Sequence, residues 1–393
     1  MARLKIALAV MICCIMRSAA IFAGSETSNK EPNQMAPDWL CARQPIKASQ
    51  IPKKDYQYLV QWLDSHAKLP QDYIVHLFDT YQVVIFGESH NVKEHKDFVI
   101  DLIPRLYHEA GIRCIGWEFS RYTDNKRLDG LVSGDMFDKE AALRFARNQF
   151  AHEFNSKEHW DIIEAIWELN RSLKHGQQKM RLIGLDMDWN APKFHIVIKT
   201  KSQDSPEFQE VLKEVIWKRD ATMAEQVEKE IIEKGQKGLV FVGRCHDFTH
   251  HKFPPNINFG RDIMGNLLYK KYGDRVFQVW LSSGFLLPIE DVMKLREHRP
   301  CGFNLYESPF ANILTPPNWG DAPNVPLSNV ARGFIYFGPS ANFHRNTPIK
   351  GFVTKEMFEQ YKEYYEIDFG RSFNSAEEVD EYLQQHRFPR PSK

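Results

Sequence analysis

Two short segments, far apart in the chain, each set a histidine close to an acid after a glycine: Gly87-Glu88-Ser89-His90 and Gly243-Arg244-Cys245-His246-Asp247. A third acid, Glu118, closes an apolar run, and Asp186 and Asp188 follow a fourth. These residue types suit two chemistries. A histidine takes a proton from water near neutral pH, and a neighbouring carboxylate orients it and raises its basicity. Two histidines and two glutamates also suffice to hold a divalent metal that activates the water. Glycine ahead of each polar group lets the chain turn sharply and come close to a ligand. Glu118 stands between Trp117 and Phe119. A carboxylate there is not freely solvated, and burying a charge without a role is costly.

Other residues near these segments are weaker candidates. Arg121 and Tyr122, just past Glu118, are placed to contact a substrate, and His95 starts the helix that follows His90. Asp186 and Asp188 read equally well as solvated loop acids. In the stretch RDATMAEQV (219–227) the plain reading buries Met223 and Val227 and leaves Arg219 and Asp220 outside. A supporting role for Arg219 at the sheet edge is the sharper reading. His250 and His251 belong to the loop beyond the site.

These side chains can meet only if the intervening elements bring them together. The runs 81–86, 112–119, 180–186, 238–243 and 275–281 are short, β-branched and apolar, and read as strands. Helical periodicity covers about 93–111, with Gly111 as its stop, then 137–149, 157–175, 206–234 and 260–272, after an earlier helix at 55–68. Strands alternating with helices predict an α/β fold, a mainly parallel central sheet flanked by helices with right-handed crossovers. In such sheets ligands sit outside the carboxyl ends of the strands, where all these acids and histidines fall. Residues 291–393, rich in Pro, Asn and Gly, are expected as an irregular C-terminal extension packed on the 51–290 core.

Lys+Arg and Asp+Glu are equal at 51 each, so the chain lacks the basic footprint of a nucleic-acid binder. Arg3 and Lys5 precede the apolar run Ile6–Met16, and small residues follow to Ala23. Residues 1–23 therefore read as a secretory signal peptide and 24–50 as a flexible leader. No later run reaches spanning length, so no transmembrane segment is expected after cleavage. A secreted or periplasmic location permits disulfides, and Cys41 with Cys301, both in loop-like sequence, is the expected pair. Cys114, inside a strand, reads as a small buried hydrophobe.

Six segments occurring in order over residues 80–285 resemble the erythromycin-esterase-like and ChaN-like superfamily, which includes the Tiki and TraB groups. They are FGESH (86–90), GWEFSRYTDNKRLDGLVSG (116–134), LIGLDMD (182–188), RDATMAEQV (219–227), FVGRCH (241–246) and GRDIMGNLLYKKYGDR (260–275). The resemblance implies an α/β core with Glu88, His90, Glu118 and His246 at the site positions. In the esterase branch it implies a histidine that activates water for ester hydrolysis. In the Tiki branch it implies a metal-dependent peptidase, and in the ChaN branch haem binding. The esterases usually separate glutamate and histidine by one further residue, as GExxH. The Glu88–His90 spacing is closer to ChaN and Tiki, whereas 219–227 and 260–275 are more esterase-like.

The resulting expectation is a secreted or periplasmic hydrolase of an ester or amide in a small-molecule or peptide substrate. His90 is the base, Glu88 and Glu118 orient it, and His246 polarises the carbonyl or carries a second proton. Arg121, Tyr122, Asp186 and Arg219 are the candidate substrate contacts. A divalent metal held by Glu88, His90, Glu118 and His246 is a variant of this reading. The alternative is a haem- or iron-binding protein of the cell envelope, ligated through Tyr122, His90 or His246.

Overall fold

A seven-stranded sheet forms because five apolar runs are buried on both faces, the pattern that parallel strands require. The computed structural model describes residues 36–42, 44–149, 155–252, 260–283, 289–315 and 324–386. The expected signal peptide, and the leader as far as residue 35, lie outside the described residues. Chain contacts separate Met1–Pro37 from Asp38–Lys393, the unit that contains the sheet. Among the described residues no helix is long and apolar enough to cross a membrane.

The strands are β1 Val83–Glu88, β2 Cys114–Arg121, β3 Arg181–Asp186, β4 Gly238–Gly243, β5 Val276–Leu281, β6 Cys301–Asn304 and β7 Gly333–Tyr336. Their order is β3-β2-β4-β1-β5-β7-β6, and only the β6–β7 pair is antiparallel. The last hundred residues thus do more than cover the sheet, because they supply two of its strands. Residues 46–47, expected in the leader, pair with 313–314 in a small separate sheet.

Side chains alternate between the faces of a strand. Val84 and Phe86 of β1, with Trp117 and Phe119 of β2, join one apolar cluster beneath the helices Lys93–His108 (α1) and Lys157–Ser172 (α2). Val83, Ile85 and Cys114 face the other way, onto Met223 and Val227 of the helix Pro206–Val227 (α3). Glu88 continues the first series and Glu118 the second, so the two carboxylates leave the sheet on opposite faces. In β1 and β4, Glu88 and Gly243 are register partners. The strand end that delivers Glu88 therefore lies beside the one that leads into His246.

The cysteine expectation needs correction, since no disulfide joins Cys41 to Cys301. Cys41 is exposed, whereas Cys301 is buried at the start of β6, where its Sγ accepts a hydrogen bond from Arg296 Nη1 at 3.3 Å. Cys114 is buried as expected, and burial pushes its thiol up to about 12.

Candidate functional site

The first half of the site grows from β1. Glu88 is 1% exposed, with one oxygen against Nδ1 of His90 and the other against the Lys96 ammonium. Burial alone would raise the Glu88 carboxyl, but Lys96 first and then His90 outweigh it and hold it far below the usual range. Lys96 also donates to the carbonyls of Ser89, His90 and Val92 at 2.9, 3.0 and 3.2 Å, so one ammonium shapes the whole loop between β1 and α1. The His90 side chain is 42% exposed. A carboxylate on Nδ1 selects the tautomer whose lone pair sits on Nε2.

His95 does not face the cleft. It is fully buried and ties the loop down. The Ser89 N–H donates to its Nδ1 at 3.0 Å, so Nε2 carries the proton and donates to the Ser282 carbonyl at 2.8 Å. Burial, and then Lys96, lower this imidazole to about 3. The C-terminal region also reaches the loop, because Asn346 Nδ2 donates to the His90 carbonyl and, at 3.2 Å, to Ser156 Oγ.

The second half grows from β2, β3, α3 and the turn after β4. Glu118, 1% exposed, accepts from Arg219 Nη2 at 2.7 Å and from the Gly243 N–H, and lies 3.4 Å from His246 Nε2. Burial would raise this carboxyl, yet His246 and Arg219 hold it well below its usual value. Nδ1 of His246 donates to Asp220 at 2.7 Å, and the same Asp220 oxygen accepts from the Met264 N–H at 2.9 Å. Burial opposes a charged imidazole, but Asp220 and Glu118 raise His246 well above 6.5. Arg219 Nε donates to Asp186 at 2.7 Å, and its guanidinium lies 5.2 Å from the centre of the Trp189 ring. Asp186 is fully buried, and that burial pushes it up to about 6 despite Arg219.

Gly243 joins the halves. Its N–H holds Glu118, and a Cβ placed on it would lie 2.7 Å from His90 Cε1 and 3.3 Å from Glu118 Oε2. No larger residue lets the His90 ring rest against β4 while Glu118 binds the backbone there.

Several expectations change. Glu118 serves the Arg219–His246 side rather than orienting His90. Arg219 and Asp220 point at the sheet edge, not outward, because Arg219, Met223 and Val227 stand four residues apart on one helix face. Asp186 is a buried partner of Arg219, whereas Asp188 is an exposed partner of Arg121 at 3.0 Å. Arg121 is further held by Asp124 at 3.2 Å, and Tyr122 is 39% exposed.

Two buried residues escaped the sequence reading, Lys96 on α1 and His159 on α2. Both lie on apolar helix faces, Lys96 three residues before Val99 and His159 three before Ile162, and a polar residue in that position was the available signal.

The four residues expected to hold a metal do not form one ligand group. Among the described residues only Glu88, His90 and His159 bring ligand atoms within 4.8 Å of one another. Even these fit a divalent cation poorly. The Lys96 ammonium already neutralises Glu88. Arg219 plays the same neutralising part at Glu118 and Asp186. Two fixed side-chain cations thus stand where a metal's charge would be needed.

No protein-family model matches the chain, and no curated protein sequence matches it. Solved structures similar in fold include a Bacillus cereus protein, at 13% identity and TM-score 0.54, covering 75% of this chain and 99% of that one. A succinoglycan biosynthesis protein is 10% identical over the same shares, also with a TM-score of 0.54. The erythromycin esterase EreC in its open conformation is 11% identical, covers 67% of this chain and 92% of its own, and has a TM-score of 0.45. The first two share the α/β architecture.

Proposed function

We infer that the protein is a hydrolase that activates water with His90 to cleave an ester or amide. Glu88, fixed by Lys96, orients the His90 ring and balances the charge it gains on taking the proton. As water adds to the carbonyl carbon, negative charge develops on the carbonyl oxygen. Arg219 and protonated His246 supply positive charge for it, held in place by Glu118, Asp186 and Asp220. His246 then has a proton to give to the leaving group. The observation that carries the reading is the contact at Gly243, where a half-exposed, carboxylate-backed imidazole adjoins a buried carboxylate that holds two cationic side chains.

The test is turnover of alkyl, aryl and lactone esters and of peptide anilides by the purified full chain, with and without chelator. Turnover is expected to persist in chelator. His90→Ala is expected to remove about 10²–10⁴-fold of it, the usual worth of a general base, with cooperative unfolding retained. Full activity in folded His90→Ala would overturn the reading. A Soret band on adding haemin, with no substrate turned over, would support the haem alternative instead.

A further inference from the structure

A polar cleft of about 400 Å³ lies beside the candidate site, within the usual size range of small-molecule pockets. Trp189 links the two, lining the cleft while its ring adjoins the Arg219 guanidinium and its Nε1–H donates to Asp186 at 3.3 Å. Arg121, also in the lining, stands three residues past Glu118 on the same strand. The cleft therefore opens along the same rim as the water-activating residues.

Its lining narrows what can bind. The Arg121 charge is already matched by Asp124 and Asp188, and Glu214 adds a carboxylate with no partner among the described residues. The excess charge is negative, which disfavours a phosphate or carboxylate ligand. The side-chain amides of Asn148 and Gln360 likewise have no protein partner among the described residues, and each offers donors and an acceptor. An acyl chain would leave these groups facing apolar surface, at a cost. Hydroxyl groups, each a donor and an acceptor, would satisfy them, and the apolar face of a ring could lie on Trp189 or Tyr361.

We propose that this cleft binds a polyhydroxylated, sugar-like ring that is the alcohol half of the ester hydrolysed at His90. The proposal rests on the hydrolase reading for the bond cleaved, but not for the binding itself. Binding is read first, by saturation-transfer NMR with methyl glucoside, methyl galactoside and tetramethylammonium, using the full chain and its His90→Ala variant. Saturation of a glycoside's ring protons in both proteins, weakened by Glu214→Gln with Gln360→Ala, is the expected result. Binding of tetramethylammonium without either glycoside, or of nothing, overturns the proposal.

Turnover is read second, comparing an O-acetylated methyl glucoside with ethyl acetate. The paired variant is expected to lower kcat/KM for the sugar ester about fivefold to tenfold through KM, the worth of one or two hydrogen bonds, and to leave ethyl acetate unchanged. Equal loss on both esters overturns the proposal while the hydrolase reading survives. Glycoside binding without any ester turnover has the reverse consequence.

Discussion

The two halves of the site solve one problem, keeping a carboxylate ionised out of water, in opposite ways. At Glu88 a single lysine neutralises the charge, and the histidine on the other oxygen is left half exposed at the surface of the cleft. At Glu118 the partners are an arginine and a second histidine, both mostly buried and both backed by further acids, Asp186 and Asp220. The first arrangement leaves one imidazole able to meet water. The second pins two cationic side chains among three buried acids and fixes the direction in which they point. Proton acceptance and charge stabilisation ask for different surroundings, and the sheet supplies them by sending Glu88 and Glu118, at the ends of the two strands that flank β4, to opposite faces.

The comparison breaks most visibly at Lys96. In Lys96→Ala the Glu88 charge is left buried without its cation, so stability should fall by about 3–5 kcal/mol. Lys96→Met combined with Glu88→Gln should recover most of that stability but not turnover. Chemical denaturation of the two variants beside the parent decides the matter. A single Lys96→Ala as stable as the parent would mean that Glu88 is held by something else.

The halves should also differ in their response to pH. Glu88 is lowered in the folded state, so its contribution is present above about pH 4.5 and is lost on acidification below that. Asp186 is raised from 3.8 to about 6, so the folded protein binds its proton more tightly and stability falls as pH rises between those values. That shift corresponds to about 3 kcal/mol at most. Asp186→Asn should therefore become more stable relative to the parent on going from pH 4 to pH 7. Urea midpoints at the two pH values test this, and a pH-independent difference would remove Asp186 from the account.

The smallest change tests the junction. Gly243→Ala puts a methyl group 2.7 Å from His90 Cε1. The ring is half exposed and can swing aside, so the fold should survive. Turnover should fall about tenfold or more, because a displaced base loses its alignment. Kinetics with a matched melting curve checks both parts, and unchanged kcat would mean that the His90 ring need not rest against β4.

Much of this was legible beforehand, for stated physical reasons. The five apolar runs fall within about two residues of β1 to β5, because doubly buried strands must be continuously apolar. The helix Asn125–Ser133 went unread, since its few apolar residues, Leu128 and Val132 among them, are set in polar sequence. β6 and β7, four residues each, are too short to stand out in a stretch dominated by turn residues. The cysteine pairing failed because loop-like sequence says nothing about the distance between two Cα atoms.

The sequence by itself determined which residues stand at the strand ends, since chain order and apolar periodicity are local properties. It also placed Arg219 and Asp220 in a helix. Only the tertiary structure decided which acid serves which histidine. That choice depends on the face each side chain leaves by, on the pairing of β1 with β4, and on the helix that covers each face. Charges far apart in the chain select partners through space, and the energy of each pairing exists only once the surrounding water has been excluded.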